Sequence, residues 1–199
     1  MGKQLVLILG GVRSGKSAFA ERLAGGWSEQ VAYLATAQPV DGEMCARIAA
    51  HRRRRPRTWF TLEAQTTVPE AIRAAGHRAE VLLVDCLTNF LANLMMSPHL
   101  TAEADPPPEK LATYLAVVQE AVADLLEAYR EVPASLIVVS NEVGQGVVPP
   151  YALGRVFRDA LGWANTTLAE AADTVYWLIA GLPLAIKQEG KLRFKPADG

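Results

Sequence analysis

LVLILGGVRSGKSAFAERLA, residues 5–24, decides the fold. Residues 4–9, apolar without a break after Gln4, show the pattern of a strand buried on both faces of a parallel sheet. Residues 17–24 then follow helical spacing. Between them, Gly10, Gly11, Val12, Arg13, Ser14, Gly15, Lys16 and Ser17 satisfy G-x-x-x-x-G-K-[ST]. Glycines let such a loop curl so that backbone N–H groups face phosphate oxygens, and the helix that follows adds its positive dipole end. The motif assigns Lys16 to the β- and γ-phosphates and the Ser17 hydroxyl to Mg²⁺. It predicts a nucleotide triphosphate site.

Strands and helices alternate outward from this loop. Residues 30–35 (QVAYLA) read as a second strand, and 42–55 as a helix ended by Pro56. A helix over 66–75 precedes a third buried strand over 81–84, which ends at Asp85. An acid at the carboxyl end of a buried strand suits Mg²⁺, directly or through water. The same residue also suits the N-cap of a helix near 87–95. Residues 97–109, with prolines at 106–108, read as a surface loop. Beyond it come an amphipathic helix over 110–129, a strand over 135–140, a helix over 151–171 and a strand over 174–179. The alternation predicts one α/β domain with a mostly parallel sheet over residues 1–187. Residues 188–199 form a charged tail, in which 191–194 suit a short edge strand or disorder.

Composition narrows the function classes. The 199 residues carry a net charge of −1 with 50% hydrophobic and 21% charged residues, ordinary for a globular protein. The pI is about 6.3, which argues against general binding to nucleic acid or anionic membrane. Cys45 and Cys86 lack Cys-x-x-Cys spacing, so neither a disulfide framework nor a zinc site is expected and a reducing cytoplasm is the natural setting. No apolar stretch reaches the roughly 18 residues that span a bilayer.

ARIAAHRRRRP, residues 46–56, is the second informative stretch. On a helix, Arg47, His51 and Arg55 share one face. Neighbouring cations disfavour protonation of an imidazole, and a neutral histidine is a competent nucleophile or base. Arginines can also clamp phosphate oxygens. The same run suits a solvated basic helix end that complements the helix dipole. His77 and His99 lie in polar contexts and read as surface residues.

Taken together, GGVRSGKS (10–17), YLATAQ (33–38), the span 43–63, LLVDCLT (82–88), SNEVGQGVVP (140–149) and RVFRDALGWAN (155–165) resemble one family. It is the bifunctional adenosylcobinamide kinase/adenosylcobinamide-phosphate guanylyltransferase of cobalamin biosynthesis. The resemblance runs to about Lys187. It implies a P-loop, RecA-like fold and two reactions: phosphorylation of adenosylcobinamide by ATP or GTP, then transfer of GMP from GTP through a guanylylated histidine to give adenosylcobinamide-GDP. On that resemblance His51 is the nucleophile and, with Lys16, catalytic. Ala35, Thr36 and Ala37 line the nucleotide pocket, Arg52, Arg53, Arg54 and Arg55 hold the triphosphate, and Glu63 contacts the nucleotide. A carboxylate there can accept from guanine N1–H and the 2-amino group, although Glu63 equally suits a solvent-exposed acid. Ser17 and Asp85 hold Mg²⁺. The partners implied are the corrinoid and its phosphate, with no nucleic acid and no membrane span, in a cytoplasmic homotrimer. Asn141, Glu142, Arg155, Arg158 and Asp159 carry the resemblance without an assigned role. Four consecutive arginines are more basic than the mixed run expected there.

Other readings stand beside it. A generic P-loop small-molecule kinase would lack the guanylyl step. A regulatory GTPase would carry N-K-x-D, which is not present. A RecA-like DNA-binding module would call for basic loops that the net charge disfavours.

Overall fold

A computed structural model describes residues 2–38, 42, 49, 52–53, 55–96 and 107–193. Its strands are β1 (Leu5–Gly10), β2 (Val31–Ala35), β3 (Phe60–Glu63), β4 (Val81–Asp85), β5 (Ser135–Val139), β6 (Thr174–Ile179), β7 (Leu182–Gln188) and β8 (Lys191–Leu192). The helices are α1 (Lys16–Trp27), α2 (Val68–Ala75), α3 (Leu87–Met95), α4 (Pro108–Glu131) and α5 (Ala152–Ala171). The strands form one sheet in the order β3-β2-β4-β5-β1-β6-β7-β8. β3 through β6 in that order run parallel, and β7 and β8 extend the β6 edge antiparallel.

Continuous apolar runs form the central strands because both sheet faces are covered. Alternate residues go to opposite sides. Leu5, Leu7, Leu34, Leu82, Val84, Leu136 and Val138 join a large core under α2, α3, α4 and α5. Val6, Ile8, Tyr33, Leu83, Ile137 and Val139 join a smaller one under α1. Burying a Leu or Val side chain contributes about 1.5–3 kcal/mol, so these strands dominate the stabilisation of the domain. On the larger face α2 packs closely on the end of α4. A Cβ at Gly76 would lie 2.5 Å from Cβ of Val132, which leaves no room there for any side chain. Arg73 of α2 also donates to Asp124 and Glu131 of α4, at 2.6 and 2.7 Å.

Most predicted elements are present to within a few residues, and two strands are additional. β3 was not expected, because FTLE is short and half-buried, alternating between partly buried and exposed positions at the sheet edge. β7 contains Pro183 and is largely exposed, so neither a buried run nor clean alternation marks it. The edge strand expected over 191–194 is the two-residue β8. The helix expected over 42–55 falls almost wholly outside the described residues, as do His99 and Cys45. Among the described residues no helix is long and apolar enough to cross a membrane.

Candidate active site

The register places the candidate residues side by side at the carboxyl end of the sheet. Ala35 on β2 pairs with Glu63 on β3 and with Asp85 on β4. Asp85 pairs with Val139 on β5, which pairs with Ile8 on β1, just before the glycine loop. A cavity of about 380 Å³ opens over this row. Its walls include Val12 to Ala18 of the loop and α1, together with Ala35, Ala37, Arg52, Arg55, Glu63 and Asp85.

The loop is held from several directions. Gly10 has φ +152°, and a Cβ there would sit 2.6 Å from the Leu178 carbonyl oxygen and 2.8 Å from Ser14 Oγ. Only glycine fits. Arg13 and Gly15 also take positive φ, at 58° and 92°, as the chain curls into α1. The Gly181 N–H donates to the Ser14 carbonyl at 3.0 Å, tying the β6–β7 turn to the loop. The Glu142 N–H donates to the Gly10 carbonyl at 3.1 Å and ties the segment after β5 to it. Lys16 is buried, and its ammonium donates to the Gly11 carbonyl at 2.6 Å. Burial lowers its pKa from the ordinary value, with Cys86 and Asp85 opposing. Ser14 Oγ is buried without a hydrogen-bond partner among the described residues. An anion with several acceptor oxygens would satisfy both groups.

Tyr33 joins the acid to the basic segment. Its hydroxyl donates to Asp85 Oδ2 at 2.7 Å, and the Arg55 guanidinium lies over its ring, 3.1 Å from the centroid. Burial, and then the Asp85 carboxylate, push the Tyr33 phenol well above its ordinary pKa, so it remains a donor. Arg55 is itself nearly buried, and its Nε lies 3.8 Å from Glu21 Oε1. Arg52 donates to Glu63, with both side chains about half exposed. Ser17 and Asp85 face the cavity together, a hydroxyl and a carboxylate oxygen. Hard oxygen donors beside a phosphate site fit Mg²⁺, which commonly takes one or two protein oxygens and completes its shell with phosphate and water. Among the described residues no cluster of three His, Cys, Asp or Glu has metal-binding geometry.

Several of the expected residues lie elsewhere than on the cavity wall. Thr36 does not line the cavity. It is fully buried, and its hydroxyl donates to the Cys86 carbonyl at 2.8 Å and accepts from the Cys86 N–H at 2.6 Å, stapling the end of β2 to the end of β4. Arg53 is exposed and absent from the cavity wall, whereas Arg52 and Arg55 are on it. His51 and Arg54 lie outside the described residues. The Glu142 carboxylate, given no role from the sequence, accepts from the Gly144 N–H at 2.8 Å. Arg155 and Arg158 had no assigned role; Arg155 donates to the carbonyls of Pro149 and Pro150, and Arg158 pairs with Asp159 at 3.7 Å. Tyr33, Cys86, Asn89 and Asn141 line the cavity and were not among the expected site residues. For Cys86 and Asn141 a signal was available, since both lie in the quoted motifs just past strand ends, whereas Tyr33 reads as one more residue of a buried strand. Cys86 is a buried thiol whose pKa burial, then Asp85, pushes up to about 12.

A family model described as cobinamide kinase/cobinamide phosphate guanyltransferase matches residues 6–186. The chain belongs to this family. It is 45% identical over 183 residues to the bifunctional adenosylcobalamin biosynthesis protein CobP of Pseudomonas aeruginosa, covering 92% of this chain and 97% of that one. It is 39% identical over 183 residues to CobU of Escherichia coli, which carries the same bifunctional description, covering 92% and 99%. Among solved structures, the RadB recombinase aligns with a TM-score of 0.46 at 15% identity, over 87% of this chain and 73% of that one. The family supplies the enzyme class.

Proposed function

We propose that this cavity carries out both family reactions, phosphorylation of adenosylcobinamide and guanylylation of its phosphate. The observation that carries the reading is the convergence on one cavity of Lys16, Ser17, Asp85, Arg52, Arg55 and Glu63. In the kinase step the loop N–H groups and Lys16 hold the β- and γ-phosphates of ATP or GTP. The corrinoid hydroxyl oxygen attacks the γ-phosphorus and gives up its proton to solvent, and the bond to the β-phosphate oxygen breaks, releasing the nucleoside diphosphate. Lys16 offsets the charge that develops on the bridging oxygen. Ser17 and Asp85 would hold Mg²⁺, which when bound neutralises phosphate charge.

In the transfer step His51 attacks the α-phosphorus of GTP and pyrophosphate leaves with the bonding electrons. The cobinamide phosphate oxygen then attacks the same phosphorus and the His–P bond breaks. The support for His51 is its place beside Arg52, a cavity residue, and its match to the family pattern. Arg52 and Arg55 would hold the triphosphate, and Glu63 would read the guanine edge, exchanging its bond to Arg52 for the base. Incubation with α-labelled GTP and Mg²⁺ tests the mechanism. The expected product is a protein-bound label that is acid-labile and alkali-stable, and that His51→Ala abolishes while leaving the kinase step. Persistence of the label in His51→Ala would sink the assignment. A cytoplasmic homotrimer, expected from the family resemblance, is tested by light scattering. It predicts three times the 21.5 kDa chain mass, and a monomer mass would refute it.

A further inference from the structure

The segment just past β5 is fixed more thoroughly than any neighbouring loop requires, and the side chain it presents has no assigned duty. Ser140 N–H continues the sheet by donating to the Ile8 carbonyl at 2.9 Å. Asn141 is then gripped at both backbone polar groups. Its N–H donates to Thr88 Oγ1 of α3 at 2.8 Å, and its carbonyl accepts from Asn165 Nδ2 of α5 at 3.0 Å. Asn165 is 5% exposed, and its own Oδ1 accepts from the fully buried Ser140 hydroxyl at 2.6 Å. One residue further, Glu142 N–H reaches the Gly10 carbonyl.

A buried amide with both ends satisfied is a strong orienting device, because the alternative is an unpaired polar group in the core. Here it orients one residue. The Asn141 side chain makes no hydrogen bond to any described residue, yet Asn141 lines the same cavity as Lys16 and Asp85. Its location follows from the sheet order, in which β5 lies between β4, which carries Asp85, and β1, which carries the glycine loop. The residue that follows β5 therefore stands between the acid and the phosphate loop.

We propose that Asn141 donates its side-chain amide to the terminal phosphate of the bound triphosphate, and that Asn165 and Thr88 are the positioning residues that hold it there. The proposal rests on the nucleotide reading of the cavity. It also gives the GWAN stretch of α5 a role, because Asn165 lies behind the site and acts through Asn141 rather than on the substrate.

The test compares the affinities of GTP and GDP, measured by calorimetry with Mg²⁺, in the full-length His51→Ala protein, which cannot take up the guanylyl group, and in the further variants built on it. A hydrogen bond to an ionised phosphate is among the stronger ones, so Asn141→Ala should weaken GTP about tenfold or more and leave GDP nearly unchanged. Asn165→Leu should lower the same GTP:GDP ratio. Asn141→Ala/Asn165→Leu should lower it no further than Asn141→Ala alone, because both changes remove one contact. If Asn165→Leu does not fold, Thr88→Val removes the other grip and should shift the ratio in the same direction. An unchanged ratio in Asn141→Ala overturns the phosphate contact. A ratio lowered in Asn141→Ala but unaltered in both Asn165→Leu and Thr88→Val overturns the positioning role. Failure of the parent His51→Ala protein to bind either nucleotide would instead overturn the nucleotide reading on which the proposal stands.

Discussion

The cavity has two walls built on opposite principles. On the loop wall the groups proposed to meet phosphate are backbone amides and one buried ammonium, held by hydrogen bonds that involve Gly11, Gly181 and Glu142. On the β3 wall the functional groups are long side chains paired with each other, Arg52 on Glu63, with Arg55 on the Tyr33 ring. The first wall costs little to organise when ligand arrives, because its backbone entropy is already lost on folding. The second consists of pairs that can exchange partners, and exposed ion pairs of this kind contribute little to stability. On the proposed function, the loop wall would set how firmly any triphosphate is held, and the β3 wall which nucleotide reacts.

The largest expected effect comes from breaking the loop wall at its buried charge. Lys16→Met should lower phosphoryl transfer by at least about a hundredfold, since a preorganised group facing developing charge is worth that much or more. Stability should hold or rise, because burial disfavours the ammonium and an apolar chain of similar length removes that burden. Single-turnover rates and denaturant midpoints together check this. A variant that loses activity only by unfolding contradicts it.

Behind Lys16, Cys86 offers a pH test of how tightly the same wall is packed. The folded thiol has its pKa pushed up to about 12, above its ordinary 9.0, chiefly by burial. A group raised in the folded state holds a proton that the unfolded chain has released. Its contribution is therefore complete below about pH 9 and falls away as pH rises towards 12. Cys86→Ala should remove that part of the alkaline decline, a few kcal/mol at most, leaving the curves parallel below pH 9. Unfolding free energies of the two proteins across that range decide it, and identical alkaline slopes would refute the packing argument.

Residue patterning exposed the loop wall far better than the β3 wall, for physical reasons. A strand buried on both faces is written as an unbroken apolar run, and a phosphate turn needs glycines at fixed spacing, so residues 5–17 declare both their structure and their use. The acid at Asp85 was legible for the same reason, as the polar end of an apolar strand. β3 is four residues long and half-exposed, so Phe60 and Leu62 alone had to signal it. Thr36 is buried while its neighbours Ala35 and Ala37 face the cavity, because a strand end that leaves the sheet no longer alternates predictably. Tyr33 escaped notice as one more apolar residue of a buried strand. Its hydroxyl bonds a carboxylate 52 positions away, which no local pattern contains. Asn141 and Asn165 likewise meet only after folding.

The smallest expected effects belong to the β3 wall, and they separate choice from grip most directly. Glu63→Gln keeps the shape but removes the charge that would accept from guanine N1–H and the 2-amino group, and it presents an amide donor to a donor edge. The preference of the transfer reaction for GTP over ATP should fall about tenfold, the scale of one charge-assisted hydrogen bond. Arg52→Ala frees the Glu63 carboxylate from its partner. It should leave that preference in place while weakening the hold on triphosphate, since Arg52 faces the same cavity. Neither change should move the thermal midpoint appreciably, because both side chains are about half exposed. Competition between labelled GTP and ATP measures the preference. If Glu63→Gln kept full discrimination, guanine would be read elsewhere, and the division of labour between the two walls would have to be redrawn around the backbone at Ala35 and Ala37.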